Sequence, residues 1–257
     1  MWRTISVIQL TNLSKHYGDC KAVTNISLQI PQGSIFGFLG MNGAGKTSTI
    51  KMMVGILQPT TGSITIANHC LAREPQKAKA AIGYVPDRPY VYPKLSGREY
   101  LYFMCDLYNV AMSDVEERID TVLDEYGMTE HQNNLIESYS HGMKQRIAFC
   151  GALVHRPEVL IVDEPMVGLD PHGARTLKSA LKRQSAAGTT VFLSTHSLHV
   201  AEELADTIAI LHRGEIIISG SFQEIQRMSQ QGHEHLEEIF IELTSQAAPY
   251  AIHAGGM

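Results

Sequence analysis

The sequence predicts an α/β fold interrupted by a helical insertion, and three observations support this prediction. β-branched segments alternate with turns in the first third of the chain, amphipathic helical patterns fill the middle, and strand patterns return after Pro157. The chain has 257 residues, 44% of them hydrophobic, which is enough to bury a substantial core. We therefore expect one large domain that carries a subdomain.

The first third of the chain is expected to consist mainly of strands. The predicted strands cover residues 5–10, 23–30, 35–39 and 64–67, with a turn at 31–33. A helix is expected to begin after Gly45 and to end near Gly55, because Pro59 lies just beyond that point.

The middle of the chain, from about residue 88 to 156, is predicted to be the helical insert. Ser96 with Glu99, and Ser113 with Glu116, have the spacing of capping boxes that open helices. A third helix is expected to start near Gly142 and to stop before Pro157.

Strands and helices alternate again in the last third. The expected elements are a buried strand at 159–162, a helix after Pro171, a strand at 191–194, a hairpin of 208–211 with 215–218, and a helix capped by Ser221 and Glu224. The predicted main domain covers residues 1–230 and a C-terminal extension covers 231–257. The tail from about Ala247 is expected to be loose.

Composition restricts the functional classes. The chain has 21 basic and 26 acidic side chains, a net charge of −5, which is unlike a general nucleic-acid binder. Its apolar stretches are too short to cross a bilayer, and no signal sequence is evident at the N-terminus. The four cysteines contain no Cys-x-x-Cys pair, which is typical of reduced thiols in a cytosolic protein. Any association with a membrane is therefore expected to depend on a partner.

A phosphate-binding motif lies between the predicted strand at 35–39 and the helix that follows it. Residues 40–47 match G-x-x-x-x-G-K-[ST], in which backbone N–H groups and a helix N-terminus receive phosphates. A chance match in a glycine-containing turn is the alternative, and the flanking strand and helix argue against it. Lys46 is expected to reach the β- and γ-phosphates, and the Thr47 hydroxyl to ligate Mg²⁺. The predicted nucleotide-binding residues here are Gly40, Asn42, Gly43, Ala44, Gly45, Lys46, Thr47 and Ser48.

Two acids follow the apolar strand pattern at 159–162. A buried strand would deliver Asp163 to the edge of the sheet beside the phosphate loop, where it can hold Mg²⁺ through water. Glu164 can then face the γ-phosphate and orient or deprotonate the attacking water. An ordinary strand end with solvated acids is the alternative. These motifs by themselves leave kinases, GTPases and motor ATPases open.

Several further motifs, taken in their order along the chain, resemble those of the nucleotide-binding domain of ABC transporters. The resemblance covers nearly the whole chain. Residues 139–146, Tyr-Ser-His-Gly-Met-Lys-Gln-Arg, resemble the family signature, and Gly168-Leu169-Asp170 resembles the D-loop. His196, in Ser-Thr-His, resembles the switch histidine, and Tyr17 lies where the family places an aromatic that stacks on adenine. A plain surface aromatic is the alternative for Tyr17. The fold class implied is α/β, a P-loop NTPase core with an antiparallel β subdomain and a helical insert.

The resemblance also implies a mechanism. Two such chains would face each other head to tail around two ATP, each bound between the phosphate loop of one chain and the signature of the other. Ser140, His141, Gly142 and Asp170 would contact ATP in trans. His196 would act with Glu164 and Lys46 in catalysis. The implied cofactors are ATP and Mg²⁺, and a second copy of the chain is the preferred partner.

Three positions depart from the family pattern. Asp87 stands where glutamine is usual, and its carboxylate can still ligate Mg²⁺. His141 replaces the middle glycine of the signature, and Met41 replaces a common proline of the phosphate loop. The first two resemble the branch that powers drug, lipid and polysaccharide exporters, as does the His-Leu-Glu-Glu-Ile-Phe stretch at 235–240. The resemblance therefore implies export.

The resemblance further implies an integral membrane permease as partner, and a peripheral position at the cytoplasmic face of the cell membrane. Six of the ten tyrosines fall between residues 84 and 108, where the family receives a cytoplasmic helix of the membrane subunit. The candidate contacts are Arg88, Tyr90, Tyr92 and Arg98. The alternative is that these rings pack inside the helical insert.

Two competing functions remain. One is an ABC ATPase that acts on nucleic acid or ribosomes, and the single cassette and net negative charge argue against it. The other is a regulatory ATP-binding subunit that hydrolyses poorly, against which the presence of Glu164 and His196 argues. We expect no nucleic-acid partner.

Overall fold

The computed structural model describes residues 6–228 and 235–246, in which the chain forms two sheets and a set of helices. The strands are β1 (Ser6–Tyr17), β2 (Cys20–Pro31), β3 (Ile35–Leu39), β4 (Thr61–Ile66), β5 (His69–Cys70), β6 (Ile82–Val85), β7 (Val159–Asp163), β8 (Thr190–Thr195), β9 (Thr207–His212) and β10 (Glu215–Gly220).

The helices connect these strands and fill the middle of the chain. They are α1 (Lys46–Met53), α2 (Pro75–Ala80), α3 (Gly97–Leu107), α4 (Val115–Glu125), α5 (His141–Leu153), α6 (Pro171–Ala186), α7 (Leu198–Leu204), α8 (Phe222–Met228) and α9 (Leu236–Gln246). None of the helices in the described parts of the chain has the length and apolar character needed to cross a membrane.

The larger sheet has the strand order β10-β9-β3-β8-β7-β6. Its neighbours from β9 to β6 are parallel, whereas β9 and β10 form the antiparallel hairpin that the sequence predicts. Every residue of β3, β7 and β8 is buried, because layers cover both faces of the parallel sheet. All three strands therefore end at one edge, where the functional side chains lie.

Alternate residues of β7 face the two cores that lie on opposite sides of the parallel sheet. Leu160 and Val162 pack in a core shared with the helical insert and α6. Val159 and Ile161 face the opposite core, which is shared with α1 and the second sheet. Side chains alternate across a strand, so one continuous apolar segment serves both cores.

The smaller sheet has the order β2-β1-β4-β5 and is antiparallel throughout. Its apolar residues share a core with α1 and with Phe36, Phe38 and Phe192 of the parallel sheet. The expected P-loop core with an antiparallel β subdomain and a helical insert is thus confirmed. Strand β1 extends to Tyr17, well beyond the predicted end at residue 10, because it pairs with both β2 and β4.

One of the predicted capping boxes in the insert is present and the other was wrong. Ser96 Oγ accepts a hydrogen bond from Glu99 N at 3.3 Å, and Ser96 N donates to the Glu99 carboxylate at 2.7 Å. Ser113 does not cap α4, because its hydroxyl donates to the Asp114 carboxylate at 2.8 Å and Asp114 is itself the N-cap residue.

The other predicted strands and helices are present, with small shifts in their bounds. The capping box of Ser221 and Glu224 is confirmed, with Ser221 N donating to the carboxylate at 2.8 Å. Strands β5 and β6 and helices α2 and α7 were not predicted. The tail from Ala247 lies outside the described residues.

Candidate active site

The phosphate loop spans residues 40–45, between the end of β3 and the start of α1. A Cβ at Gly40 would lie 2.6 Å from Leu211 O, and one at Gly45 would lie 2.5 Å from Ala22 O. Gly45 also has φ +112°, which side chains disfavour. The loop therefore needs glycine at both positions to fit against its neighbours.

The turn of the β9–β10 hairpin supports this loop from behind. Gly214 N donates to Ala44 O at 2.9 Å, and Thr24 N donates to Gly214 O at 2.8 Å. Because these bonds join segments far apart in sequence, local patterns did not reveal them. They hold the loop backbone in one conformation.

Lys46 is the first residue of α1, and its side chain is only 6% exposed. Its Nζ donates to Gly40 O at 2.6 Å and lies 3.4 Å from Glu164 Oε1. The ammonium group is thus held at the centre of the loop, next to the acid that follows Asp163.

A cleft of about 240 Å³ opens beside the phosphate loop. It brings together most of the predicted phosphate- and metal-binding residues. Its lining consists of Ala22, Met41, Asn42, Gly43, Gly45, Lys46, Thr47, Ser48, Asp87, Asp163 and Glu164. Gly40 and Ala44 lie in the loop behind this lining.

Asp163 ends β7 and is almost completely buried, with 2% of its surface exposed. Ser194 Oγ, at the end of β8, donates to Asp163 Oδ1 at 2.6 Å. Burial raises the pKa of this carboxyl, and the nearby charges of Asp87 and Glu164 raise it further. A divalent cation would relieve this repulsion, and carboxylate and hydroxyl oxygens are the ligands that Mg²⁺ prefers.

Glu164 is held by its backbone and its side chain. It has φ +49°, unusual for a residue with a side chain, and its N–H donates to Ser194 O at 3.0 Å. Its Oε2 lies 2.9 Å from His196 Nδ1 and accepts from His196 N at 3.3 Å. Its Oε1 is buried without a hydrogen-bond partner and faces Lys46. Strained backbone of this kind often marks a functional residue.

Ser140 and Gly142 of the signature, together with D-loop residues 168–170, line a different cleft of about 510 Å³, whereas His141 is not part of its lining. Ser140 is the N-cap of α5, and its Oγ accepts from Met143 N at 3.3 Å. Asp170 is the N-cap of α6 and accepts from Gly173 N at 2.6 Å. Ser140, Gly142 and Asp170 therefore surround the N-termini of two helices, which favour negative charge. Within one chain they do not share the cleft of the phosphate loop.

Tyr17 ends β1 with its ring about half exposed. Lys15 Nζ lies 5.3 Å from the ring centroid, within range of a cation–π contact. The ring is accessible to a stacking partner, although it does not line the cleft beside the phosphate loop.

A cluster of aromatic rings is exposed on the helical insert. Tyr90 is 83% exposed, and Tyr92 contacts both Tyr90 and Phe103 edge to face. Arg98, which the sequence suggested as a docking contact, is instead bound within the insert. Its guanidinium donates to carboxylates of α4 and to Gln132, and these bonds would have to break before it could bind a partner.

Comparison with known proteins agrees with this geometry. Residues 23–167 match the family model described as ABC transporter. The chain is 38% identical over 215 residues to the linearmycin resistance ATP-binding protein LnrL of Bacillus subtilis, which covers 84% of this chain and 69% of that protein. It is 35% identical to the bacitracin transport ATP-binding protein BcrA of Enterococcus faecalis, over 87% of this chain and 72% of that protein.

Solved structures are similar as well. An ATP-binding subunit of an ABC transporter superposes with a TM-score of 0.88 at 30% identity, over 93% of this chain and all of that one. CbiO1 of Clostridium perfringens, part of the ABC transporter complex cbiONQ, gives 0.76 at 26% identity, over 93% of this chain and 98% of that one. With a phosphate loop, an acidic strand end and a signature helix arranged as described, this chain belongs to the ABC transporter family, as an ATP-binding subunit with ATPase activity.

Proposed function

We propose that two copies of this chain close head to tail around two ATP and drive export through a separate membrane subunit. The observation that carries the proposal is the separation of the two clefts. Lys46 and Glu164 line one cleft, whereas Ser140 and Asp170 line another. A second copy would bring its Ser140 and Asp170 to the ATP held by Lys46. This arrangement needs no rearrangement of loops within either chain.

Each residue of the site has a proposed role in hydrolysis. Glu164 orients or deprotonates the attacking water, and His196 holds this carboxylate and the γ-phosphate in register. Lys46 leaves its contact with Glu164 to bind the β- and γ-phosphates. Ser140 Oγ and the Gly142 backbone N–H donate to the γ-phosphate from the partner copy. His141 and Asp170 of the partner copy contact the same ATP. Tyr17 stacks on the adenine.

The metal site is proposed to hold Mg²⁺. Asp163, Thr47 and Asp87 would be its ligands, directly or through water. The buried carboxyl of Asp163, whose pKa is raised by burial and by neighbouring acids, fits a site that gains from a cation. When bound, Mg²⁺ would neutralise charge on the phosphates.

The membrane partner is proposed to be an integral permease that binds the cluster of Tyr90, Tyr92 and Phe103, with Arg88 beside it. Exposed aromatic residues that contact one another are typical of interface cores. The relatives named for bacitracin transport and linearmycin resistance support export. The chain would then act at the cytoplasmic face of the membrane. The proposed ATPase domain covers residues 1–230, and residues 231–257 form its proposed extension.

The Glu164→Gln variant tests the dimer. It should hydrolyse ATP at least about a hundredfold more slowly, since general-base groups contribute on this scale. It should also elute as a dimer with ATP and as a monomer without it in size-exclusion chromatography. A monomer at saturating ATP would contradict the proposed assembly.

The Lys46→Ala variant tests the partner. Because Lys46 is buried in the phosphate loop and is not part of the exposed aromatic cluster, this variant should still co-purify with a membrane subunit from detergent extracts. Recovery only with RNA or ribosomes would support the competing function on nucleic acid.

A further inference from the structure

Gln145 connects the signature helix to the segment that carries the acid of the ATPase site. It lies in the second turn of α5 and is 4% exposed. Its Nε2 donates to the carbonyl of Pro165, which directly follows Glu164. Burying an amide and a carbonyl is costly unless they bond to each other, so this contact resists being broken.

The bond to Pro165 adds to the others that hold Glu164 at its positive φ. Glu164 N donates to Ser194 O at 3.0 Å, and Val167 N donates to Glu164 O at 3.3 Å. A strained residue keeps its conformation only when several contacts fix it. A small shift of Pro165 would therefore change where the Glu164 carboxylate points.

Two further contacts join the same segments. The ring of His141 lies so close to Gly168 that an added Cβ there would be 3.0 Å from Nε2. Leu169 Cδ2 would lie 3.8 Å from a Cβ at Gly142. The first turns of α5 and residues 165–169 thus pack together as one unit.

We propose that Gln145 is a positioning residue that transmits the engagement of Ser140 to Glu164 of the same chain. This inference rests on the head-to-tail dimer proposed above. In that dimer Ser140 contacts the ATP held by the partner, whereas Glu164 acts on the ATP held by its own chain. Both residues are joined through one rigid helix start and the bond from Gln145 to Pro165. Binding at one site would thereby align the carboxylate at the other.

The Gln145→Leu variant tests this role, because it keeps most of the volume and removes the donor. Misplacing a catalytic group can cost one to two orders of magnitude in rate. We expect kcat for ATP to fall about tenfold or more, with KM changed less than about twofold. Combined with Glu164→Gln, the variant should still form the ATP-dependent dimer.

Gln184→Leu is the matched control. Gln184 also lies on a helix and is partly buried, whereas Gln145 is buried. The amide of Gln184 donates to Glu125, outside residues 164–169. It should leave kcat within about twofold of the unmodified protein. If Gln145→Leu melts below the assay temperature, Gln145→Met, which is also uncharged, keeps the unbranched shape and lacks the donor, takes its place.

The outcomes separate the two proposals. A normal ATP-dependent dimer together with unchanged kcat for the Gln145 variant would overturn this inference alone. A second outcome would also overturn it: the Gln145 variant forms no ATP-dependent dimer although Glu164→Gln alone does. Gln145 would then be needed for the dimer surface rather than for the alignment of Glu164. If Glu164→Gln alone forms no dimer with ATP, the proposed assembly fails and this inference fails with it.

Discussion

His196 Nδ1 lies 2.9 Å from Glu164 Oε2, so the histidine after β8 contacts the acid after β7 directly. The two strands are parallel neighbours, and their pairing brings Asp163 beside Ser194. The sheet therefore places the acid and the histidine at one edge. The histidine is half exposed, and its other ring nitrogen can face a phosphate.

His196→Ala should lower kcat for ATP by about a hundredfold, because Glu164 loses the group that orients it. The Kd for ATP should change less than about threefold, since the phosphate loop remains intact. Steady-state hydrolysis and nucleotide titration measure the two effects. His199→Ala is the control, because His199 lies on the next helix and is 82% exposed. Equal losses in both variants would remove His196 from the mechanism.

The free energy of unfolding should decrease in acid, and protonation of His155 should account for part of the decrease. Its ring stacks on Tyr108 with centroids 3.6 Å apart, and burial lowers its pKa from 6.5 to about 4. Between these values the unfolded chain binds more protons than the folded chain, so the free energy of unfolding falls as pH drops from 6.5 toward 4.

His155→Phe keeps the stacked ring and removes the titration. The slope of the free energy of unfolding against pH should then fall by up to about 1.4 kcal/mol per pH unit in this range. Urea denaturation at several pH values measures the slope. An unchanged slope would show that His155 does not contribute to acid sensitivity.

The two serines in the insert give opposite predictions. Ser96→Ala should lower the free energy of unfolding by about 1 kcal/mol, because it removes the cap of α3. Ser113→Ala should change it by less than about 0.5 kcal/mol, because Ser113 caps no helix. Denaturant melts of both variants provide the comparison, and equal losses would contradict the assignment of the caps.

The exposed aromatic cluster should be needed for binding the membrane subunit and not for ATP hydrolysis by the isolated chain. Tyr90→Ala combined with Tyr92→Ala should leave ATP hydrolysis by the purified chain unchanged. Recovery of the membrane subunit in co-purification should fall about tenfold, as expected for aromatic anchors. Met112→Ala is the control, since Met112 is equally exposed on another loop. Undiminished recovery would place the docking surface elsewhere.

The phosphate loop and the acidic strand end could be predicted because each is a local pattern. The features that were not predicted depend on contacts between residues that are far apart in sequence. Strand β6 is short and contains Gly83, which weakens any strand pattern. The structure explains this glycine, because a Cβ would lie 2.2 Å from Ala152 O on the closely packed α5.

Side-chain partners were also beyond local patterns. Arg98 suggested a docking contact because arginine and aromatic residues are favoured at interface cores, yet its partners Asp120 and Gln132 lie on later segments. Gln145 lies in the signature stretch, but its bond to Pro165 could not be predicted, because the acceptor is a backbone carbonyl distant in sequence. The roles of Ser140 and Asp170 depend on a second copy and stay predictions.

Complementation between two inactive variants tests the shared site most directly. Lys46→Ala disables the phosphate loop and leaves the signature intact, whereas Ser140→Ala does the reverse. In a mixed dimer, one ATP site would combine the intact loop with the intact signature. Mixing equal amounts should restore up to about a quarter of normal hydrolysis, since about half of the dimers are mixed and each has one complete site. Hydrolysis no greater than the sum of the separate variants would contradict a site built from two chains.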